Sequence, residues 1–267
     1  MPRTKLVTSG SNWFIACNKF NSPTARELAH KLGIGFGLKP KRSRKNIIRW
    51  GYSGQLDRLN NTNNFPTPEA IFNCSDKLRA LQILQEKTVN VPKFWTSFNS
   101  ARTHVKFPLY CRRRHHTMGK DIIMIHNESE LANGFHDGRY VVESIKFDKE
   151  YRIHIFNSKM ISASKKYFGE ELWTELGKPD KKDIIRNNSN GWRYHYIKDF
   201  KNVPEDVVKQ AKAAVIALGL LWGAVDIIRT PDKKSYVLEV NSAPGLRDAG
   251  VDIYVSEFKQ LMTKQNS

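Results

Sequence analysis

The sequence from Gly223 to Asn241 reads GAVDIIR–TPDKKS–YVLEVN, two apolar runs that flank a polar turn segment. Short runs rich in Val, Ile and Tyr on either side of such a segment predict a β-hairpin. With the turn centred between Asp232 and Lys233, Asp226 lies directly opposite Glu239 on the neighbouring strand. This pairing of two acids is the feature from which we build the fold prediction.

A carboxylate pair in this position needs a positive partner. Two charges this close repel one another by roughly 3 kcal/mol at an effective dielectric of about 20. Side chains alternate along a strand, so Asn241 shares the face of the two acids, and the other face is apolar, with Val225, Ile227, Leu238 and Val240. Such oxygen donors suit Mg²⁺, which takes one or two carboxylates and completes its shell with water and substrate phosphates. The alternative is that both acids face solvent beside Lys233 or Arg229.

The continuation of the hairpin adds a family resemblance. Residues 239–246 read EVNSAPGL, which resembles the terminal motif of the ATP-grasp superfamily, most closely the RimK-like carboxylate-amine (glutamate) ligases. In that family an upstream Asp and the Glu and Asn of the motif hold two Mg²⁺ ions against the phosphates of ATP. The resemblance therefore implies Asp226, Glu239 and Asn241 as metal ligands, with Mn²⁺ as an alternative ion.

Two cationic residues match the family's phosphate contacts. Lys77 opens a predicted helix and stands where the family has a lysine that reaches the nucleotide phosphates. Arg112 stands where the family has a second lysine, a departure that keeps the charge but changes its geometry to a fork. The loop that follows, residues 113–120, carries Arg and His side chains and only Gly119 where the family is rich in glycine.

Glu143 and Glu150 resemble the family's pair of nucleoside-binding acids. Glu143 matches the hinge acid beside the adenine-contacting backbone, and Glu150 matches the acid that accepts hydrogen bonds from the ribose hydroxyls. Arg152 follows as in the RimK-like pattern. The resemblance implies nucleotide binding by Lys77, Arg112, Glu143, Ser144, Ile145, Glu150 and Lys166.

The segment around Arg186 resembles the family's catalytic Arg-x-Asn segment. Arg186 would stabilise the transferred phosphoryl group or the acyl-phosphate, and Asn188 would assist metal or phosphate binding. Without the resemblance, this Asn-rich tract is a loop.

Charge and composition narrow the class of protein. The chain has 267 residues with 44 Lys and Arg against 26 Asp and Glu, a net charge of +18. This excess favours phosphate-bearing partners, including nucleic acid, and is also compatible with a solvated surface. The longest apolar run, residues 213–225, is too short to span a bilayer, so no membrane association is expected. Three cysteines without metal-binding spacing and an N-terminus without a secretory signal favour the cytoplasm.

Local patterns predict the main elements. Pro23–Leu32 is expected to form a helix with Ser22 as N-cap and Gly33 after its end. A second helix is expected from Ser75 to Gln85, capped by Ser75. Residues 60–68 are rich in Asn and Pro and are expected to be an irregular connection. The other predicted elements are strands at 47–51, 107–112, 140–145, 151–156 and 159–164, a helix after Pro204, and the two hairpin strands, which close the fold.

Together these features predict a mixed α/β (α+β) chain with the ATP-grasp fold. The expected divisions are an N-terminal α/β lobe (1–70), a central lobe (71–145) and a C-terminal lobe (146–267), with the nucleotide between the last two. The reaction implied by the resemblance is ATP-dependent carboxylate-amine ligation through an acyl-phosphate, which releases ADP and phosphate. Its partners would be a carboxylate substrate and an amine acceptor, either a small molecule or the end of a peptide or protein.

Two alternatives remain at this point. An ATP-grasp phosphotransferase would keep the fold but stop at the phosphorylated product. A non-catalytic nucleic-acid-binding protein on a decayed ATP-grasp scaffold would account for the charge of +18. Intact metal-binding positions argue against decay.

Overall fold

Three β-sheets with helices packed against them form the described part of the chain. The structure, a computed structural model, describes residues 12–18, 22–40, 44–54, 62–104, 106–115, 122–135, 138–169, 186 and 191–266. The strands are β1 (Trp13–Cys17), β2 (Gly35–Gly37), β3 (Asn46–Trp50), β4 (Asn63–Phe65), β5 (Phe94–Trp95), β6 (Leu109–Arg112), β7 (Ile123–Ile125), β8 (Tyr140–Glu143), β9 (Lys149–Phe156), β10 (Lys159–Phe168), β11 (Trp192–Tyr196), β12 (Trp222–Arg229) and β13 (Ser235–Asn241). The helices are α1 (Pro23–Leu32), α2 (Pro68–Ser75), α3 (Lys77–Glu86), α4 (Phe98–Arg102), α5 (Glu128–Gly134), α6 (Glu205–Ala217) and α7 (Ala249–Asn266), and a short 3-10 helix covers Phe200–Asn202.

The N-terminal sheet is parallel, with the strand order β2-β1-β3-β4, and α1 packs against it. The prediction for α1 is confirmed. The Ser22 side chain accepts a hydrogen bond from the backbone N–H of Ala25, and Gly33 ends the helix with a φ of 66°. That left-handed conformation favours glycine, because other residues would bring a Cβ too close to the backbone.

The irregular connection predicted for residues 60–68 is wrong at Asn63–Phe65, which form β4 beside β3. The asparagines that suggested a loop bind to the neighbouring strand through their side chains. Arg49 Nε donates to Asn64 Oδ1 at 2.8 Å, and Asn63 Nδ2 donates to Asn46 Oδ1 at 2.9 Å. Side-chain pairing across strands therefore stabilises a segment with poor intrinsic strand propensity.

The helix predicted from Ser75 to Gln85 is confirmed as α3, but its predicted cap is wrong, because Ser75 belongs to a preceding helix, α2, that meets α3 at Asp76. The Asp76 side chain accepts hydrogen bonds from the backbone N–H groups of Leu78 and Arg79, so Asp76 is the N-cap of α3 and Ser75 is the last residue of α2. The extended backbone at Asp76, with φ −86° and ψ 107°, interrupts the helical path. This break makes Lys77 the first residue of α3.

The C-terminal sheet is antiparallel, with the strand order β11-β10-β9-β12-β13. The predicted pairing of β9 with β10 across Asn157 and Ser158 is confirmed, and both turn residues have positive φ. Helix α6 covers one face of this sheet, where Val207, Ala211 and Val215 join its buried residues in one core cluster. The opposite face carries the polar side chains of the candidate site.

The expectation that the two hairpin strands close the fold is wrong, because α7 follows them. This helix packs against α1 and joins a core cluster that contains residues of both the N-terminal and the C-terminal sheets. Its buried residues, Val251, Tyr254, Val255 and Phe258, recur at intervals of three and four. That spacing is the signature of an amphipathic helix.

The central sheet has the order β5-β8-β6-β7 and its own small core, which includes Leu109, Cys111 and Val141. Helix α3 packs on one face of this sheet, where Leu78 and Leu81 cluster with Tyr140 and Val142 of β8. The lobe boundaries at residues 70 and 145 stay predictions, and the first falls inside α2. Among the described helices, none is both long and apolar enough to cross a membrane.

Candidate active site

The hairpin β12–β13 brings the two predicted acids together. Asp226 pairs directly with Glu239, and Ala224 pairs with Asn241, so the register expected from the sequence is confirmed at both positions. Directly opposed residues of an antiparallel pair point to the same face. The two carboxylates and the amide therefore share the face that is not covered by α6.

A β-bulge separates the acid pair from the turn. The last pair before the turn centres it on Asp232, slightly earlier than expected. The extra residue in the bulge is Leu238, which restores the register toward the acids. The predicted apolar face is corrected accordingly: Val237 joins Val240 in the core, and Leu238 is only half-buried.

Strand β9 lies on the other side of β12 and adds polar side chains to the same face. Asp226 pairs with Arg152, and Ile228 pairs with Glu150. Since side chains alternate along β9, His154 shares this face with Glu150 and Arg152. The register of β9, β12 and β13 thus aligns these polar side chains in a row across one face of the sheet, the polar row.

Asp226 is 9% exposed and keeps its charge through Arg152. Arg152 Nε and Nη2 donate to the two carboxylate oxygens at 2.7 and 2.8 Å, and the Tyr194 hydroxyl donates to Oδ1 at 3.3 Å. Burial alone would raise the pKa of Asp226, but the Arg152 guanidinium outweighs it and holds that pKa below its ordinary value. The Arg152 guanidinium also lies 4.3 Å from the Tyr194 ring centroid, which fixes its orientation.

The alternative that both acids face solvent beside Lys233 or Arg229 is therefore wrong. Arg229 instead pairs with Asp206, with Nε 3.0 Å from a carboxylate oxygen. The partner of Asp226 comes from a neighbouring strand that is 74 residues away in sequence.

Glu239 lies between two cations that the sequence assigned to phosphate binding. Lys77 Nζ is 3.7 Å from one carboxylate oxygen of Glu239, and Arg112 Nη2 is 3.7 Å from the other. Lys77 Nζ also donates to the Val240 carbonyl at 3.4 Å. Helix α3 and strand β6 thus each deliver one positive charge to the end of β13.

The predicted nucleoside acids have different surroundings. Glu150 is buried in an ion pair with Lys166, and burial raises its pKa against the opposing effect of that lysine. Glu143, at the end of β8, accepts a hydrogen bond from the backbone N–H of Lys93 at 2.6 Å. Ser144 and Ile145 follow it as half-buried residues outside regular secondary structure.

Arg186 lies between two aromatic rings. Its guanidinium carbon is 4.1 Å from the centroid of the Phe147 ring and 4.4 Å from that of the Trp192 ring. Burial lowers its pKa, and the charge of Glu150 opposes that shift. The structure therefore places Arg186 between Phe147 and Trp192, while Asn188 and residues 116–120 of the basic loop lie outside the described residues.

Sequence reasoning missed two features of this face. The pairing of Arg152 and Tyr194 with Asp226 had only one sequence signal, the alternation that puts Arg152 on the same face as Glu150. The second feature is a buried hydrogen bond of 3.0 Å between His154 Nδ1 and the hydroxyl of Tyr254 on α7. No local pattern indicates a contact between residues so far apart in sequence.

The donor set fits a divalent magnesium ion. Two carboxylates and one amide oxygen on a single face are the hard oxygen ligands that Mg²⁺ prefers, and the surrounding cations Lys77 and Arg112 suit the phosphates that would share it. Within the described ranges, no group of three or more His, Cys, Asp or Glu side chains could hold a metal ion. The predicted ligand set of two carboxylates and the Asn241 amide stays a prediction.

Two curated ligases are similar to this chain in sequence. No family model matches the chain. A probable alpha-L-glutamate ligase from Cellvibrio japonicus is 27% identical over 180 residues, which cover 64% of this chain and 56% of the relative. A D-alanine–D-alanine ligase from Clostridium botulinum is 26% identical over 173 residues, 60% of this chain and 55% of the relative. The chain spans about half the length of these curated relatives.

Solved structures match nearly the whole chain. D-alanine–D-alanine ligase from Bacillus anthracis, complexed with ATP, superposes with a TM-score of 0.65 at 15% identity and covers 95% of this chain and 98% of its own. The ATP-grasp ligase PsnB, complexed with a precursor variant, Mg and ADP, gives 0.67 at 12% identity over 94% and 98%. A RimK domain ATP-grasp protein from Sphaerobacter thermophilus gives 0.63 at 12% identity over 92% and 96%. The chain has the mixed α/β ATP-grasp fold, and the resemblance to that superfamily seen in the sequence is confirmed.

Proposed function

We propose that this protein is an ATP-dependent carboxylate-amine ligase that forms an amide bond and releases ADP and phosphate. The observation that carries the proposal is the Asp226–Glu239 pair with Arg152, Lys77 and Arg112 around it. A carboxylate pair within a ring of cations suits a triphosphate with its metal ions, because the charges of both signs are then balanced. The fold places this arrangement on the sheet face that α6 leaves open.

The names of the similar proteins support a ligase and widen the range of substrates. They include a probable glutamate ligase, a D-alanine–D-alanine ligase and a ligase complexed with precursor peptide. The first two names point to amino acids as the joined groups, and the third adds a peptide as a bound ligand. We therefore propose an amino acid or peptide carboxylate and an amine acceptor as the partners of this chain.

The proposed reaction has two steps. A carboxylate oxygen of the substrate attacks the γ-phosphorus of ATP, the bond to ADP breaks, and an acyl-phosphate forms. The amine then attacks the acyl carbon, the C–N bond forms, and phosphate leaves as the amine loses a proton. Both steps need positioning and charge neutralisation more than covalent help from the protein.

Residues of this chain supply that positioning. Asp226, Glu239 and Asn241 would hold two Mg²⁺ ions, with Mn²⁺ as a substitute. When bound, the metal supplies Lewis-acid stabilisation of phosphate charge. Lys77 and Arg112 would neutralise the phosphates from the opposite side, where they already flank Glu239.

The nucleoside would lie toward the other end of the polar row. Glu150 would accept hydrogen bonds from the ribose hydroxyls, with Lys166 as its ion-pair partner. Glu143 and the backbone at Ser144 and Ile145 would contact the base. The described cysteines are buried and form no disulfide, which supports a reducing compartment such as the cytoplasm.

Arg186 would stabilise the transferred phosphoryl group or the acyl-phosphate, and Asn188 would assist it. In the structure Arg186 is stacked between Phe147 and Trp192. Stacking engages the faces of the guanidinium and leaves its in-plane N–H donors for a phosphate oxygen. The charge of +18 favours phosphate ligands in general, and no contact among the described residues singles out a nucleic acid.

The test is an ADP-release screen with Mg²⁺, ATP and a panel of amino acids, peptides and polyamines. Glu239→Ala is expected to abolish turnover while circular dichroism shows a folded protein. Asp232→Ala is the matched control, because Asp232 is exposed at the turn of the same hairpin and is expected to leave turnover unchanged. Turnover that survives in Glu239→Ala would remove this residue from the mechanism.

Mass spectrometry of the product separates ligation from phosphoryl transfer. A ligase product contains a new amide and no phosphate, whereas a phosphotransferase product keeps the phosphoryl group. A phosphorylated product that accumulates in the presence of every amine would overturn the ligase proposal and favour the phosphotransferase.

A further inference from the structure

Two polar atoms beside the phosphate-binding residues are buried without a partner. The hydroxyl of Tyr140 and the Nε of Arg112 make no hydrogen bond within the described part of the chain. Tyr140 is 0% exposed. Buried polar groups in native proteins are nearly always hydrogen-bonded, so two unpaired ones need an explanation.

The two residues are direct neighbours in the central sheet. Arg112 on β6 pairs with Tyr140 on β8, so their side chains share one face of the sheet. The Tyr140 ring packs with Leu78 and Leu81 of α3, the helix that begins at Lys77. Both unpaired atoms therefore belong to residues on the face of the central sheet that packs against α3, the helix that begins at Lys77.

The charges of the candidate site act on the Tyr140 hydroxyl. Burial raises the pKa of Tyr140, the charge of Arg112 lowers it, and the charges of Glu239 and Asp76 raise it further. Arg112 Nη2 is 3.7 Å from a Glu239 oxygen, longer than a hydrogen bond, and the Arg112 Nε has no partner in the described part of the chain. An oxyanion that enters beside Arg112 when the central lobe opens would meet a hydroxyl and an N–H with no other partner among the described residues.

We propose that the Tyr140 hydroxyl and the Arg112 Nε–H form one donor pair for a phosphate oxygen of the bound nucleotide. This inference rests on the proposed function and extends it, since it adds Tyr140 to the phosphate-contacting residues. It also explains the departure from the family's lysine at position 112. A lysine has only its terminal ammonium as donor, whereas Arg112 adds an Nε–H to its terminal donors.

The test compares Tyr140→Phe with the unmodified protein in the free and ligand-bound states. The probe is a non-hydrolysable ATP analogue with Mg²⁺, measured by calorimetry and thermal unfolding. Without nucleotide, Tyr140→Phe is expected to unfold at the same or a higher temperature, because the change removes an unpaired buried hydroxyl. With nucleotide, its Kd is expected to rise about tenfold through the loss of one hydrogen bond to a charged group.

Two further variants sharpen this test. Tyr151→Phe is the matched control: Tyr151 is also buried, but it packs in the core under α6, and its substitution is expected to leave the Kd unchanged. In an Arg112→Lys background, Tyr140→Phe is expected to change the Kd by less than it does alone. Such non-additivity is what a shared phosphate oxygen produces.

Each remaining outcome contradicts the proposal in a distinct way. An unchanged Kd in Tyr140→Phe, with normal binding by the unmodified protein, overturns this inference alone. A lower unfolding temperature of Tyr140→Phe without nucleotide overturns it too, because the hydroxyl then has a partner in the free protein. Failure of the unmodified protein to bind the analogue overturns the proposed function as well. If inorganic phosphate gives the same difference in Kd between Tyr140→Phe and the unmodified protein, the donors bind free phosphate, and the assignment to a nucleotide is rejected.

Discussion

Arg152 and Asp226 form an ion pair that is largely enclosed in the candidate site, and removal of either partner leaves a charge without its counter-ion. Arg152→Met keeps an apolar stem but leaves the Asp226 carboxylate without its two donors. We expect the free energy of unfolding to fall by about 3 kcal/mol, the usual cost of breaking a buried pair. Urea unfolding in the presence of a metal chelator measures this loss.

Arg229→Met is the matched control for that change. Arg229 pairs with Asp206, whose side chain is 35% exposed, so water can solvate the remaining carboxylate. A pair of this kind contributes less than about 1 kcal/mol. Equal losses in the two variants would show that Asp226 is better solvated than its burial indicates.

His154 predicts a pH dependence of stability. Burial lowers the pKa of His154 to about 4 from its ordinary 6.5; Arg152 acts in the same direction and Asp226 against it. Between these two pH values the unfolded chain binds a proton that the folded chain does not. The free energy of unfolding should therefore decrease as the pH falls through this window, by about 3 kcal/mol in total from this residue.

The measurement is urea unfolding at several pH values between 7 and 4. His154→Asn can keep a hydrogen bond to Tyr254, but its side chain does not titrate. The pH slope of its free energy of unfolding should therefore correspond to about one proton fewer than in the unmodified protein. His195→Asn is the control, because His195 is exposed and its slope should match that of the unmodified protein. A slope in His154→Asn that equals that of the control would refute the assignment.

Helix α3 depends on its N-cap, because Asp76 both caps it and pairs with Arg114. The carboxylate accepts from two backbone N–H groups and lies 2.6 Å from Arg114 Nη2. Asp76→Ala removes both contacts and should lower the free energy of unfolding by about 1 to 2 kcal/mol. Asp76→Ser keeps a capping oxygen and loses only the charge, so it should retain most of that stability. Thermal unfolding compares the two, and an equal loss in Ser and Ala would show that the charge matters and the cap does not.

Elements with local signals could be predicted from the sequence, and those that depend on distant contacts could not. Helix α1 carries its own cap and stop signals, and the β12–β13 register follows from alternation alone. The break at Asp76 was missed because Ser75 is an equally good cap by local rules. Strand β4 was missed because its stability depends on Arg49 and Asn46 of another strand.

The same division applies to the candidate site. Alternation along the hairpin was enough to put Asp226, Glu239 and Asn241 on one face. The pairing of Asp226 with Arg152 needed the β9–β12 register, and the approach of Arg112 to Glu239 needed two sheets to be placed side by side. Contacts of this kind depend on tertiary packing, about which periodicity carries no information.

At the scale of the whole molecule, two of the three sheets share a core. The cluster around Trp50, Phe156 and Trp222 contains residues of the N-terminal sheet, the C-terminal sheet and α7. The central sheet instead has a separate cluster with α4 and α5. The N-terminal and C-terminal lobes, here called the outer lobes, should therefore unfold as one unit. The central lobe, which carries Arg112, can open on its own.

Hydrogen exchange of two core variants tests this coupling. Phe258→Ala removes a fully buried ring from the shared cluster and should cost about 3 kcal/mol, which corresponds to roughly 100-fold faster exchange where opening requires that cluster. The faster exchange should appear together in β1, β3 and β12, from both outer lobes, and not in β6 and β8. Leu131→Ala, in the central cluster, should give the reverse pattern. If Phe258→Ala accelerates the central strands equally, the chain unfolds as a single unit, and the central lobe has no independent opening by which a nucleotide could reach Arg112 and Glu239.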